Sequence, residues 1–287
     1  MENRRNRAKV AAYREAGGPP RPKNRVIKRM LWIILLLEIV CAVELYMLIK
    51  ICAGNTEEDR SKDALGENWF EDIMYEMSGR GKEETCIKMT GLSQESIPTG
   101  CESVSTVMVL NYLGVEIEPE TFIDNYLPCG AFYRQGETVY GPDPHQVFAG
   151  NPYEKNSLGC FPQVIIKALE NMQGCHYPGM DSIVAQDVSG ARLEKLASKY
   201  IANDIPVLLW VTMGMEPSYE GMKYYLADGS LYTWRAGEHC MVLCGYDETS
   251  YYLMDPLTDG EMVCFPKETV EARYKEMGQH AVVMTNK

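Results

Sequence analysis

Cys101 follows Ile97-Pro98-Thr99-Gly100 and leads an apolar run at helical spacing: Val104, Val107, Met108 and Leu110 to Leu113. A thiol in the first turn of a helix meets about half a positive charge and several unpaired N–H groups. Both favour thiolate and can lower a cysteine pKa well below about 8.5. The same N–H groups can hold a developing oxyanion. A structural cysteine or half of a disulfide is the competing reading of position alone. A cysteine nucleophile also needs an imidazole, to take its proton and later protonate the leaving amine. The chain has four histidines, His145, His176, His239 and His280. His239 opens the run His-Cys-Met-Val-Leu-Cys-Gly-Tyr, a turn follows at 247–250, and the chain returns as Tyr-Tyr-Leu-Met-Asp255-Pro256. Two strands joined this way pair antiparallel. The hairpin can carry the Asp255 carboxylate to the His239 ring, fixing its tautomer and stabilising the imidazolium. A strand-end Asp-Pro turn explains Asp255 equally well.

The elements that must position these groups follow from periodicity. The spacing predicts a helix from Cys101 to a cap at Gly114, a second over 162–173 with Pro162 near its start, and a third over 190–203. Strands are expected at 206–212, 239–246, 251–255 and 261–265, then a helix near 267–277 and a closing strand at 280–284. Helices come first and the sheet later, which indicates α+β rather than alternating βαβ units. The stretch 128–160 is dense in Gly, Pro and Tyr, and a loop that long is usually functional. It is expected to serve as substrate cleft or lid. His145 lies in it. His176 and His280 have no acid–nucleophile setting, and Trp210 and Trp234 read as core or cleft wall.

Charge divides the chain. The net charge is −12, yet residues 1–29 hold ten Lys/Arg and two Asp/Glu, so the remainder carries −20. So acidic a body repels phosphates, and nucleic acid is not an expected partner. Residues 30–51, MLWIILLLEIVCAVELYMLIKI, make about one bilayer span of mostly apolar residues. Basic residues precede the span and Glu57, Glu58 and Asp59 follow it. The positive-inside rule then puts the N-terminus in the cytoplasm and the body outside the cell. A cleaved signal peptide is the alternative, although the run exceeds an h-region of about 7–15 residues. Glu38 and Glu44 are costly inside a bilayer. They point either to a partner transmembrane helix or to a protonated Glu38 with Glu44 near the outer interface. The expected organisation is 1–29 basic cytoplasmic tail, 30–51 transmembrane anchor, 52–90 polar stalk and 91–287 catalytic domain. Eight of the ten cysteines lie beyond the membrane region. Disulfides are permitted there, with no pairing readable. No C-x-x-C occurs, which argues against a zinc ribbon.

The run Ile97-Pro98-Thr99-Gly100-Cys101-Glu102-Ser103-Val104-Ser105, followed by Met108-Val109-Leu110-Asn111-Tyr112-Leu113-Gly114, resembles the C39-like cysteine peptidase family. So do Tyr140-Gly141-Pro142-Asp143-Pro144 with Phe148-Ala149-Gly150, the strand Pro206–Thr212, His239 with Gly245-Tyr246-Asp247, and Met254-Asp255-Pro256. The resemblance covers about 91–260. It implies a papain-like fold, with a Cys-bearing helix packed on an antiparallel sheet that carries His and Asp. It also implies Cys101 as nucleophile, His239 as base, Asp255 as the orienting residue and Gln94 as an oxyanion donor. Cys101 and His239 stand 138 positions apart, which fits the span of about 130–150 seen in papain-like enzymes, although no C-G-S-C-W surrounds the cysteine. Glu102 is explained by the helix dipole alone.

These readings converge on a membrane-anchored, extracytoplasmic cysteine peptidase acting on a peptide or protein substrate, with no metal or organic cofactor required. The chain has no G-x-x-x-x-G-K-[ST] P-loop, and leader-peptide processing is not expected. Cell-wall amide cleavage or transpeptidation on the same triad is an alternative. A non-catalytic, membrane-tethered binding domain is another.

Overall fold

The computed structural model describes residues 85–287. The expected tail, anchor and most of the stalk, Glu38 and Glu44 included, lie outside the described residues. Among the described residues no helix is long and apolar enough to cross a membrane.

The fold is mixed α/β around an antiparallel sheet. Strand β1 is Thr85–Cys86, and helix α1, Cys101–Tyr112, follows. Then come α2 (Pro119–Tyr126), four short strands β2 (Cys129–Gly130), β3 (Tyr133–Gln135), β4 (Thr138–Tyr140) and β5 (Phe148–Ala149), and α3 (Pro162–Gly174). Strand β6 (Ile183–Asp187), α4 (Leu193–Lys199), β7 (Val207–Thr212), β8 (Tyr219–Tyr225) and β9 (Leu231–Ala236) lead to the hairpin β10 (Glu238–Tyr246) and β11 (Ser250–Asp255). Strand β12 (Glu261–Pro266), α5 (Lys267–Glu276) and β13 (Ala281–Asn286) close the chain.

The main sheet runs β12-β11-β10-β7-β13-β6, with β1 also paired to β10. Its central strands β7 and β10 are buried along their whole length. That is why their sequences, VLLWVT and EHCMVLCGY, read as near-continuous apolar runs rather than alternating ones. Helix α1 packs against β10. Its residues from Cys101 to Leu110 are all buried, Glu102, Ser103, Ser105 and Thr106 included. Two of these hydroxyls find partners at once: Ser105 donates to the Cys240 carbonyl of β10 at 2.9 Å and Thr106 to the Glu102 carbonyl at 2.6 Å. A helix covered on every side is the core of the domain rather than a surface helix with one apolar stripe.

A second sheet, β3-β4-β8-β9, was not expected from periodicity. Five residues of β8, Tyr219–Tyr225, are exposed, so YEGMKYY carries little apolar alternation. Helix α2 has only eight residues, too few for a clear period. The third expected helix is shorter than 190–203: α4 ends at Lys199 and a 3₁₀ turn occupies Ile201–Asn203. Strand β9 passes into β10 through one residue, Gly237, whose φ of 85° suits glycine.

Candidate active site

Helix α1 begins at Cys101, so the thiol stands at its N-terminus. Strand β10 brings His239 as its second residue, and β11 ends at Asp255. The register between them pairs Val242 with Met254. Extended by one step, it sets Asp255 opposite Met241 and diagonal to His239 on the same face. His239 Nε2 lies 2.7 Å from Asp255 Oδ1, with both side chains nearly buried. The same carboxylate accepts the Leu257 amide at 2.9 Å. The Asp-Pro turn and the histidine contact are thus two uses of one oxygen. Because Nε2 meets the carboxylate, Nδ1 is the ring nitrogen left for a reacting group.

Gln94, Cys101 and His239 line one cleft of about 440 Å³. Its walls include Met213, Trp234 and Leu257 together with Tyr219 and Met222 of the second sheet. Lys155, Ser157 and Leu158 from the long loop complete it. Gln94 is 4% exposed and is anchored by its backbone N–H to the Pro256 carbonyl at 3.0 Å. Its Nε2 donates to the Pro98 carbonyl at 3.4 Å, and its Oε1 is buried without a partner. His145 does not line this cleft. It stacks on Phe161, ring centroids 4.5 Å apart, and neighbours His280. Trp210 is core and Trp234 is cleft wall.

Two carboxylates occupy the centre of the site: Glu102, which the sequence assigned to the helix dipole alone, and Glu238, which it did not single out. Glu102 is not a surface carboxylate serving the helix dipole. It is fully buried, and Cys101 Sγ donates to its Oε2 at 3.3 Å. Its Oε1 accepts the Cys160 amide at 2.6 Å. Glu238, the residue before the histidine, is 8% exposed, and its Oε1 has no partner. Gly159 lies between them. A Cβ there would sit 2.6 Å from Glu102 Oε1 and 3.0 Å from Glu238 Oε2. A signal existed in the sequence: both glutamates interrupt segments otherwise built of buried apolar and small residues.

This arrangement reverses the expected state of the thiol. Burial first, then the charges of Glu102 and Glu238, push the Cys101 pKa well above its ordinary value, and the Cys240 backbone amide opposes them only in part. The helix N-terminus is outweighed, and the resting sulfur is a thiol hydrogen-bonded to Glu102. Glu102 is itself raised from 4.5 to about 7, chiefly by burial. Glu238 is likewise raised well above 4.5, by burial first and then by Glu102. Two carboxyl groups this close and this dry cannot both ionise cheaply. Cys101, Cys160 and Cys240 are not joined in disulfides.

Known proteins resemble this chain. The chain is 24% identical over 215 residues to the uncharacterized protein YvpB of Bacillus subtilis, covering 73% of this chain and 78% of that one. The crystal structure of a C39-like peptidase from Bacillus anthracis superposes with a TM-score of 0.61 at 23% identity, covering 72% of this chain and 99% of that one. The peptidase domain of Streptococcus ComA, a bifunctional ABC transporter, matches 69% of this chain and 98% of its own at 11% identity, with a TM-score of 0.40. The model of the Peptidase_C39 like family matches residues 86–282, well over half of the sequence, and the chain belongs to that family.

Proposed function

We propose that the protein is a cysteine peptidase in which Cys101 is the nucleophile, His239 the base, Asp255 the orienting carboxylate and Gln94 an oxyanion donor. The observation that carries this reading is the His239–Asp255 pair at 2.7 Å, opening on the same cleft as Cys101. Membership of a peptidase family supports it. The thiol leaves Glu102 by rotating about χ1 toward His239 Nδ1, which takes its proton. The thiolate attacks the scissile carbonyl, and the oxyanion is held by the Cys101 N–H and the Gln94 amide. His239 gives its proton to the departing amine, then activates water to hydrolyse the thioester. The apolar and aromatic walls of the cleft suit a peptide lying against the second sheet.

The same proposal takes residues 30–51 as a membrane anchor and places the catalytic domain outside the cell, on the strength of the basic residues before the span and the acidic ones after it. A peptide-library digest with the full chain tests the chemistry. Wild type should release fragments and Cys101→Ala none. Equal cleavage by both would remove Cys101 from the mechanism. Labelling of surface lysines on intact cells tests the topology, and protection of the 85–287 lysines would reverse it.

A further inference from the structure

We propose that Cys101, Glu102 and Glu238 form a binding site for a thiophilic divalent cation, with Zn²⁺ as its expected occupant, that silences the nucleophile by capturing its sulfur. The silencing rests on the peptidase reading above; the binding does not.

One donor atom from each of the three residues lies within 4.8 Å of the other two. All three residues are buried, at 5%, 0% and 8% exposure. Among the described residues no lysine or arginine forms an ion pair with either glutamate. A second observation points to a ligand rather than to a chance cluster. Glu238 Oε1 is buried with no hydrogen-bond partner, a state that costs free energy unless something satisfies it. Glu102 is oriented for the purpose. The Cys160 amide holds its Oε1 at 2.6 Å, which turns Oε2 toward the sulfur. Holding one carboxylate oxygen by a backbone amide is how outer partners fix metal ligands.

The donor set selects the ion. One sulfur and two carboxylate oxygens exclude Mg²⁺ and Ca²⁺, which take oxygen-only shells of six or more ligands. They suit Zn²⁺, which accepts S and O donors in a tetrahedron. With Zn–S near 2.3 Å and Zn–O near 2.1 Å, donor atoms around the ion stand roughly 3.5 Å apart. The cluster must therefore tighten by about 1 Å, through the side chains of Glu238 and Cys101. Three protein donors leave a fourth position for water. Cys101 and Glu238 both border the cleft, which gives the ion its entry path. On binding, Zn²⁺ displaces the thiol proton and any carboxyl proton to solvent and forms the Zn–S bond. No redox change is involved.

The test uses the full chain with metal alone. Co²⁺ reports the sulfur by a thiolate-to-cobalt charge-transfer absorption, and chelator-buffered Zn²⁺ gives affinity by displacing it. The band should appear in wild type and vanish in Cys101→Ser. Glu238→Gln and Glu102→Gln keep every sulfur in place and should weaken Zn²⁺ by about tenfold or more. A band that survives Cys101→Ser overturns the site, as does a Zn²⁺ affinity unchanged in both glutamine variants. The two readings fail separately. Cys101-dependent Zn²⁺ binding in a chain that cleaves no peptide when metal-free leaves the site and removes the peptidase. Cys101-dependent cleavage that excess Zn²⁺ neither slows nor binds to prevent leaves the peptidase and removes the site.

Discussion

Substituting Glu102 by glutamine should flatten the dependence of stability on pH. Glu102 is fully buried, and its carboxyl is raised from 4.5 to about 7, with burial as the main cause. The sign follows from proton counting. Between 4.5 and 7 the unfolded chain has lost this proton while the folded chain keeps it. The stabilisation is therefore full below 4.5 and is lost as pH rises through the folded value near 7. At ~1.36 kcal/mol per pH unit, integrating from pH 5 to pH 8 gives a loss of about 2.5 kcal/mol from this one residue. Glutamine preserves the volume and can still accept the Cys160 amide through Oε1, now bonded at 2.6 Å. It carries no proton to lose. Urea denaturation of both proteins at pH 5, 6, 7 and 8, followed by tryptophan fluorescence, should show the variant gaining on wild type by about 2.5 kcal/mol across the range. A difference that stays flat to within about 0.5 kcal/mol, or runs the other way, would refute the claim that Glu102 is held protonated by burial.

Three further outcomes follow from the same geometry. Asp255→Asn keeps an acceptor for the Leu257 amide but offers His239 the wrong hydrogen-bonding partner; kcat should fall on the order of 10³–10⁴-fold with little change in Tm, and retention within tenfold in a peptide assay would count against the orienting role. Because Glu102 helps hold the Cys101 proton on and is ionised above about 7, Glu102→Gln should speed alkylation of Cys101 by iodoacetamide several-fold at pH 8, read by mass spectrometry; a ratio of one or below removes its electrostatic influence on the sulfur. Trp210 is fully buried and donates from Nε1 to the Cys160 carbonyl at 2.7 Å. Trp210→Phe should therefore cost about 1–3 kcal/mol through the orphaned carbonyl, and an unchanged denaturation midpoint would show that the bond contributes nothing net.

Much of the frame around the candidate site was legible from local pattern. The Cys101 helix, the β10–β11 hairpin and the strand at 207–212 announce themselves by apolar periodicity and by the turn residues at 247–250. The long loop was marked by Gly and Pro, and it does contribute cleft wall. What stayed hidden depends on tertiary partners. The burial of Glu102 requires the sheet behind α1 and the Gly159 backbone in front of it; the apolar run around position 102 signals a buried helix but not those partners. The second sheet was missed because β3 and β4 are three residues each and β8 is mostly exposed, which leaves β9 alone to show an alternating face. The protonation state of Cys101 was misread for a related reason. A helix N-terminus is visible in sequence, whereas desolvation by a folded interior is not.

Gly237 joins the small sheet to the strand that carries Glu238 and His239. The cleft wall this small sheet supplies is thus tied to the large sheet on both sides, through Gly237 to β10 and through residues 213–218 to β7. Positions of the small sheet outside the cleft, Leu231 at 56% exposure among them, leave room for substitution or for lengthening at its tip while Glu238, His239 and Asp255 stay anchored in the large sheet. A change in the cleft wall then leaves the buried His239–Asp255 pair where it is.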